Sequence, residues 1–152
     1  MKLDDGYILG LIEGEGSFTF STNILGRSES GILRRKVPAF MLQMHERDTK
    51  LIESVRDYLG LKNRIYNYLS PALVTNKKIY RRGRRSVLTV REIGPLKNII
   101  VPFFAHRLLG YKSVQFSEWI EEIGTNPEVP EAFRIIYRLH KSGYYLKESR
   151  SL

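Results

Sequence analysis

The stretch Gly6-Tyr7-Ile8-Leu9-Gly10-Leu11-Ile12-Glu13-Gly14-Glu15-Gly16-Ser17-Phe18 decides how this chain is read. Its apolar residues have helical spacing, and Asp4 or Asp5 stands where an N-cap is expected, which predicts a helix over 4–14. Gly6, Gly10 and Gly14 recur at i, i+4 and i+8, so they stack on one face of that helix. Each glycine costs roughly 1 kcal/mol relative to alanine in a helix interior. A stripe of three makes sense when another backbone must approach closely along that face, whether inside one subunit or between two. Glu13 and Glu15 sit near the helix C-terminus, where the macrodipole disfavours negative charge. Carboxylates placed against that field are either well solvated or held there for a cation.

Working outward, Ser17 to Ile24 alternates polar and apolar with period two and reads as a half-buried strand, with Phe18 and Phe20 inward. Ser17, Thr19, Ser21 and Asn23 are left on the open face. After a Gly- and Ser-containing loop, Val37 to Met44 continues the pattern with Phe40, Leu42 and Met44 inward and Ala39, Met41 and Gln43 outward. Glu46 to Tyr58 is helical, with Leu51, Ile52, Val55 and Leu59 buried and Gly60 as its stop. Lys62 to Leu69 reads as a strand with Arg64, Tyr66 and Tyr68 on one face, followed by a turn or long hairpin loop through Pro71 and Asn76. Ser86 to Ile93 is a strand with Leu88 and Val90 inward and Arg85, Val87, Thr89 and Arg91 outward. Pro95 opens a helix to Leu109, kinked or broken near Pro102, and 112–123 and 130–143 are two more. The expected architecture is α+β: helix, strand, strand, helix, strand, strand, helix, with a four-stranded antiparallel sheet carrying helices on one face. All 152 residues fit one domain.

Composition narrows the function. No stretch of apolar residues is long enough to span a membrane. Asp4 and Asp5 precede the first apolar run, so no signal peptide is read and an intracellular protein is expected. The absence of cysteine removes disulfides and thiolate chemistry. A net charge of +9 and a pI near 9.9 point to a polyanionic partner. The basic residues are concentrated at Arg34-Arg35-Lys36 and from Lys77 to Arg85, where Arg81, Arg82, Arg84 and Arg85 lie, with no acid inside either segment. Together with the hydroxyls, amides, arginines and tyrosines of the outward strand faces, they suit phosphate contact and base reading in a groove. Tyr66 and Tyr68 suit stacking on single-stranded RNA equally well, so the sheet alone does not choose the nucleic acid.

The run Ile8-Leu9-Gly10-Leu11-Ile12-Glu13-Gly14-Glu15-Gly16, followed by Ser17-Phe18, resembles the signature of the LAGLIDADG homing endonucleases, with Glu in place of both acids. Phe40-Met41-Leu42-Gln43-Met44-His45-Glu46-Arg47-Asp48 is similar to the family's second-strand exit, although Met44 stands at the usual Gln position. The block from Pro102 through Leu109-Gly110-Tyr111-Lys112 to Trp119 resembles a common C-terminal block. The resemblance implies a nuclease acting on double-stranded DNA with Mg2+ or Mn2+, the metal held by Glu15 and the Gly14 carbonyl. Lys112 matches a basic residue that stabilises phosphate charge, and Gln43 is a polar neighbour able to stand in for the missing Gln. His45 reads as a surface residue at a helix start. Single-motif members dimerise through the motif helices, and one motif per chain leads to the same expectation for the glycine stripe: an isologous contact through Gly6, Tyr7, Gly10, Leu11, Glu13 and Gly14. Some members act instead as RNA maturases that assist intron folding, which makes intron RNA a second possible partner, and others only bind DNA.

Overall fold

The computed structural model describes residues 2–69, 73–75, 78–80 and 83–146. Helix α1 (Asp5–Glu15) opens it, and Asp4 is its N-cap, with Oδ1 accepting the Tyr7 N–H at 2.8 Å. Strands β1 (Gly16–Ser28) and β2 (Gly31–His45) form an antiparallel hairpin much longer than the alternation suggests. Pairing continues through the basic segment to Ser28↔Gly31, with one irregularity between Ile24 and Gly26. Gly31 lies at φ 126°, a conformation open mainly to glycine, and so lets the chain reverse there.

A 3-10 turn (Glu46–Asp48) leads into α2 (Thr49–Leu59), which ends on Gly60 at φ 79°. Strand β3 (Ile65–Leu69) is followed by two short paired strands, β4 (Leu73–Thr75) and β5 (Lys78–Tyr80), in the segment expected to be a turn or long loop. Strand β6 (Arg84–Val90) completes a four-stranded antiparallel sheet in the order β1-β2-β6-β3.

The helical run expected to open at Pro95 starts two residues earlier, with α3 (Ile93–Pro95), and continues through a π-helical turn (Leu96–Ile100) into α4 (Val101–Phe104). Pro102 does not break it. The π turn lies just before the proline, which has no N–H to donate and whose ring crowds the carbonyl one turn back. The run ends at Phe104 rather than Leu109, because Ala105 turns extended and His106 takes φ 63°. Helices α5 (Tyr111–Thr125) and α6 (Arg134–Lys141) follow.

The core lies between one face of the sheet and the helices. Phe18, Phe40, Leu42, Leu88 and Val90 meet Ile8 and Ile12 of α1, Ile52 and Val55 of α2, and Phe116, Trp119 and Ile120 of α5. Phe18 is its aromatic centre, with the rings of Phe40, Phe104, Phe116 and Trp119 at centroid distances of 5.6, 5.6, 5.0 and 5.3 Å. One buried hydroxyl, Ser86, bonds Thr49 of α2 and Asn67 of β3. At the start of α1, Asp5 accepts from the Tyr58 hydroxyl and pairs with Arg107 at 2.8 Å. These two partners hold its carboxyl below the ordinary carboxylate range and tie α1 to α2 and to the segment after α4.

Candidate active site and nucleic-acid interface

Helix α1 presents two unlike faces. Ile8 and Ile12 are fully buried, whereas Gly6, Gly10 and Gly14 are exposed. A methyl group at Gly10 or Gly14 would meet nothing within 4 Å, and one at Gly6 only Asp4 Oδ1 at 3.5 Å. Among the described residues, then, nothing packs on the stripe. Tyr7 stands exposed beside it. Leu11 is half-buried and packs against the chain's own core.

Glu13, expected at the dimer contact, is engaged within its own chain. Its Oε1 accepts the Leu109 N–H at 3.0 Å and its Oε2 the Gly110 N–H at 2.8 Å. Leu109 and Gly110 lead directly into α5, and the positive end of that helix's dipole favours a carboxylate there. Glu15, the last residue of α1, is exposed and makes no hydrogen bond or ion pair among the described residues.

The chain turns straight from α1 into β1 because Gly16 is extended while its N–H still bonds the Ile12 carbonyl. A methyl at Gly16 would lie 2.5 Å from Ile12 Cγ2, so this turn requires glycine. Lys112, in the first turn of α5, donates Nζ to the Gly16 carbonyl at 2.7 Å. On the sheet side, Gly16 pairs with Leu42 and Ser17 with Met41. Gln43 follows Leu42 on β2, next to the point where this pairing begins, and is paired on its other side with Val87. Lys112 and the Leu42–Gln43 step of β2, far apart in sequence, thus meet at Gly16, the residue that follows Glu15.

The donors there fit a hard divalent cation, which takes oxygen ligands. Glu15 offers a carboxylate, and Gly14 lies in the last helical turn, whose carbonyls lack helical partners. Among the described residues no cluster of three or more His, Cys, Asp or Glu could hold a metal. With Glu13 bonded to Leu109 and Gly110, the motif's carboxylate without a partner among the described residues is Glu15.

The open face of the sheet adjoins this end. Strict register puts Ser17, Thr19, Ser21 and Asn23 on it, facing Met41, Ala39, Val37 and Arg35. Gln43, Val87 and Tyr66 form one cross-strand row and His45, Arg85 and Tyr68 the next. A depression of about 460 Å³ opens between β1 and the end of β6, lined by Thr19, Ser21, Met41, Arg64, Thr89 and Arg91 among others. Arg91 spans it to reach Ser21 Oγ at 3.3 Å, and Arg64 lies over the Tyr66 ring, 5.3 Å from its centroid. Beneath them Asn63 Nδ2 donates to the Thr89 carbonyl at 3.0 Å and to Glu92. Burial raises the pKa of the Glu92 carboxyl, but the N–H groups of Arg91 and Glu92, the Asn63 amide and the Arg91 charge outweigh it and leave the carboxyl below its usual range.

Several expected DNA contacts are placed differently. Ala39 is 1% exposed and Val87 6%, so both form the floor under longer neighbours. The three consecutive basic residues of β2 cannot share a face, and only Arg35, opposite Asn23, is on the open one. Lys36 turns to the helix side, where Nζ pairs with Glu122 at 2.9 Å and sits over Phe20. Arg34 shares that parity, opposite Ile24. Arg84 also faces away and pairs with Glu46 at 3.4 Å. Arg81 and Arg82 lie outside the described residues. His45 stands at the start of the 3-10 turn as expected, its Nδ1 accepting the Arg47 N–H at 3.1 Å, and it also falls in the open-face row with Arg85. It packs so closely on Gly83 that a methyl there would be 2.4 Å from His45 Nε2. Its period-two spacing from Gln43 was the available signal. Asn63 and Glu92, which brace the depression, fell inside the expected strands 62–69 and 86–93, whereas the structure starts β3 at Ile65 and ends β6 at Val90.

Residues 8–123 match the family model described as LAGLIDADG endonuclease. Among solved structures, the chain is similar to the homing endonuclease I-TnaI at 22% identity and a TM-score of 0.59, covering 97% of this chain and 81% of that one. It is similar to I-LtrWI bound to target DNA at 24% identity and a TM-score of 0.61, and to I-SmaMI bound to cleaved DNA at 24% and 0.59. In both of these DNA-bound structures it spans 44% of the solved chain. No curated protein matches the chain.

Proposed function

Because the chain belongs to the LAGLIDADG endonuclease family, we propose that it is a site-specific homing endonuclease that pairs two copies through α1 and cuts both strands of a long, near-palindromic DNA duplex. The observation that carries this reading is the bare glycine face of α1 ending at an unpartnered Glu15 beside the open sheet face. Among the described residues nothing uses the space over Gly10 and Gly14. An isologous contact there would bring two Glu15 carboxylates together across a two-fold axis, with one open face per half-site. The DNA-bound relatives are more than twice this chain's length in the matched comparison, which is consistent with a site needing two such units.

Glu15 and the Gly14 carbonyl would hold Mg2+ or Mn2+. Such an ion neutralises phosphate charge and makes a nucleophilic water accessible at neutral pH. Lys112 places an ammonium at the same end of α1 and would stabilise phosphate charge there. Gln43 would orient water. On the open face, Arg35 and Arg85 are placed for phosphates. Thr19, Ser21, Arg64, Tyr66, Thr89 and Arg91 line the depression where base edges are read. Among the described residues no helix is long and apolar enough to cross a membrane, and the proposed place of action is wherever the cell keeps the target duplex.

The test is Glu15→Gln. Duplexes recovered from a randomised pool by binding to the wild-type protein are incubated with Mg2+. The wild type should cut both strands, and the variant should lose cutting while keeping its affinity, since a metal ligand and not a DNA contact has been removed. Full cutting by the variant refutes the role of Glu15. Wild-type protein that binds structured intron RNA in preference to duplex, and never cuts, supports the maturase reading instead.

A further inference from the structure

We propose that Glu13 is a positioning residue that holds Lys112 at the active end of α1 by clamping the start of α5. The inference rests on the endonuclease reading above. Helix α5 has no side-chain cap of its own, because Gly110 occupies the N-cap position. The capping carboxylate comes from another helix: Glu13 takes both the Leu109 and Gly110 N–H groups, one on each oxygen. Glycine at 110 makes this possible, since a methyl there would lie 2.8 Å from Glu13 Oε2.

Two residues further on, Lys112 returns to Gly16, the residue that follows Glu15. The result is a closed ring: α1 grips α5 through Glu13, and α5 grips the exit of α1 through Lys112. Farther along α5, Gln115 Oε1 accepts the Phe18 N–H at 3.1 Å and Trp119 Nε1 donates to the Thr19 carbonyl at 2.7 Å. Those contacts, with the buried Phe116 and Ile120, fix the body of α5 whatever happens at its first turn. Losing the clamp therefore frees the first turn alone, where Lys112 is. The motif's two acids thus divide the work, with Glu15 left open and Glu13 tied down as the anchor.

The experiment is a double-mutant cycle on the full chain, reading single-turnover cutting of the pool-selected duplex, its binding, and the melting temperature. Glu13→Gln keeps one acceptor oxygen and removes the charge. Gly110→Ala keeps Glu13 but crowds it. A misplacement of this kind lowers the rate by about 10- to 100-fold. We expect that loss in both variants, with binding changed by less than about twofold. In a Lys112→Met background neither change should lower the rate further, because coupled residues are not additive. Additive losses, wild-type rates in both single variants, or a Lys112→Met protein that cuts at full rate would each overturn the clamp. So would a loss of rate matched by a loss of binding and melting temperature, which marks a purely structural acid. If these occur while Glu15→Gln is inactive, only the clamp has failed. If wild-type protein binds duplex and never cuts, the endonuclease reading has failed and the clamp with it.

Discussion

Adding a single methyl group at Gly10 should make the subunit more stable and the assembly weaker. Inside the chain a Cβ at this position meets nothing within 4 Å, so it introduces no clash. Gly10 lies mid-helix in α1, where alanine is favoured over glycine by roughly 0.5–1 kcal/mol. Gly10→Ala should therefore raise the stability of the isolated subunit by up to about 1 kcal/mol, a shift of a few degrees in melting temperature for a domain of this size. Between subunits the sign reverses. In an isologous contact the methyl is present twice, and overpacking costs typically 1–3 kcal/mol per site, so association should weaken by about 2–6 kcal/mol. At about 1.4 kcal/mol per tenfold, that is at least a 20-fold rise in the dimer dissociation constant. Thermal unfolding under dilute, monomeric conditions measures the first effect, and sedimentation equilibrium over a concentration series the second. A variant destabilised as a monomer would show that the stripe packs within the chain. An unchanged association constant for Gly10→Ala and Gly14→Ala would show that no second backbone uses this face.

Other perturbations probe different links. Phe18→Ala should cost about 3–5 kcal/mol by emptying the centre of four aromatic contacts, read by denaturant unfolding. Neutralising Arg35 or Arg85 should weaken all duplexes alike and reduce the salt slope by about 0.9 log units for each phosphate that no longer meets a positive charge. Arg91→Ala should instead lose about 1–3 kcal/mol of preference at particular base pairs; binding to single-base-pair variants at several salt concentrations separates the two, and interchanged behaviour would refute the division of the surface. His140 has its pKa lowered by burial, with the charges of His106 and Lys141 adding to it, and its ring stacks on His106 at 5.2 Å. A folded pKa below the unfolded value means that this contribution to stability is complete above about pH 6.5 and is lost as pH falls from there through the lower folded value. Melting from pH 7.5 to 5.5 should show the loss, and His140→Gln should flatten it.

Most of the fold was legible because its signals are local. Period-two alternation identified the inward residues Phe18, Phe40, Leu42, Leu88 and Val90, all of them buried. Gly60 ended α2 as expected, in a left-handed conformation. What local signals could not give was how far the first hairpin runs. Ile24, Leu25, Ile32 and Leu33 are exposed on both sides of it, so the outer ribbon has no buried face to impress an alternation on the sequence. The same blindness misplaced the basic cluster. Read as a loop, Arg34-Arg35-Lys36 looked like one patch; as a strand, its residues must alternate, and Lys36 goes to Glu122. Composition reports that charge is present, but only register says where it points.

The candidate site divides along the same line. Glu15 and the glycine stripe were legible because they violate helix preferences, and a violated local preference marks something outside the local structure. Glu13 violates the same preference, yet its explanation lies inside the chain, at the start of a helix 97 positions away. The distinction turns on β1 being an edge strand of the main sheet. An edge leaves backbone groups without a partner strand, and α5 supplies part of what is missing: Lys112 to the Gly16 carbonyl, Gln115 to the Phe18 N–H, Trp119 to the Thr19 carbonyl. Those three residues fall at i, i+3 and i+7, one face of a helix that also buries Phe116 and Ile120. Polar groups on the buried side of a helix are a readable sign that the helix covers a strand edge. Here the covered edge begins at the residue after Glu15, so the contacts that protect the strand also bring a lysine to the end of α1 that carries this carboxylate.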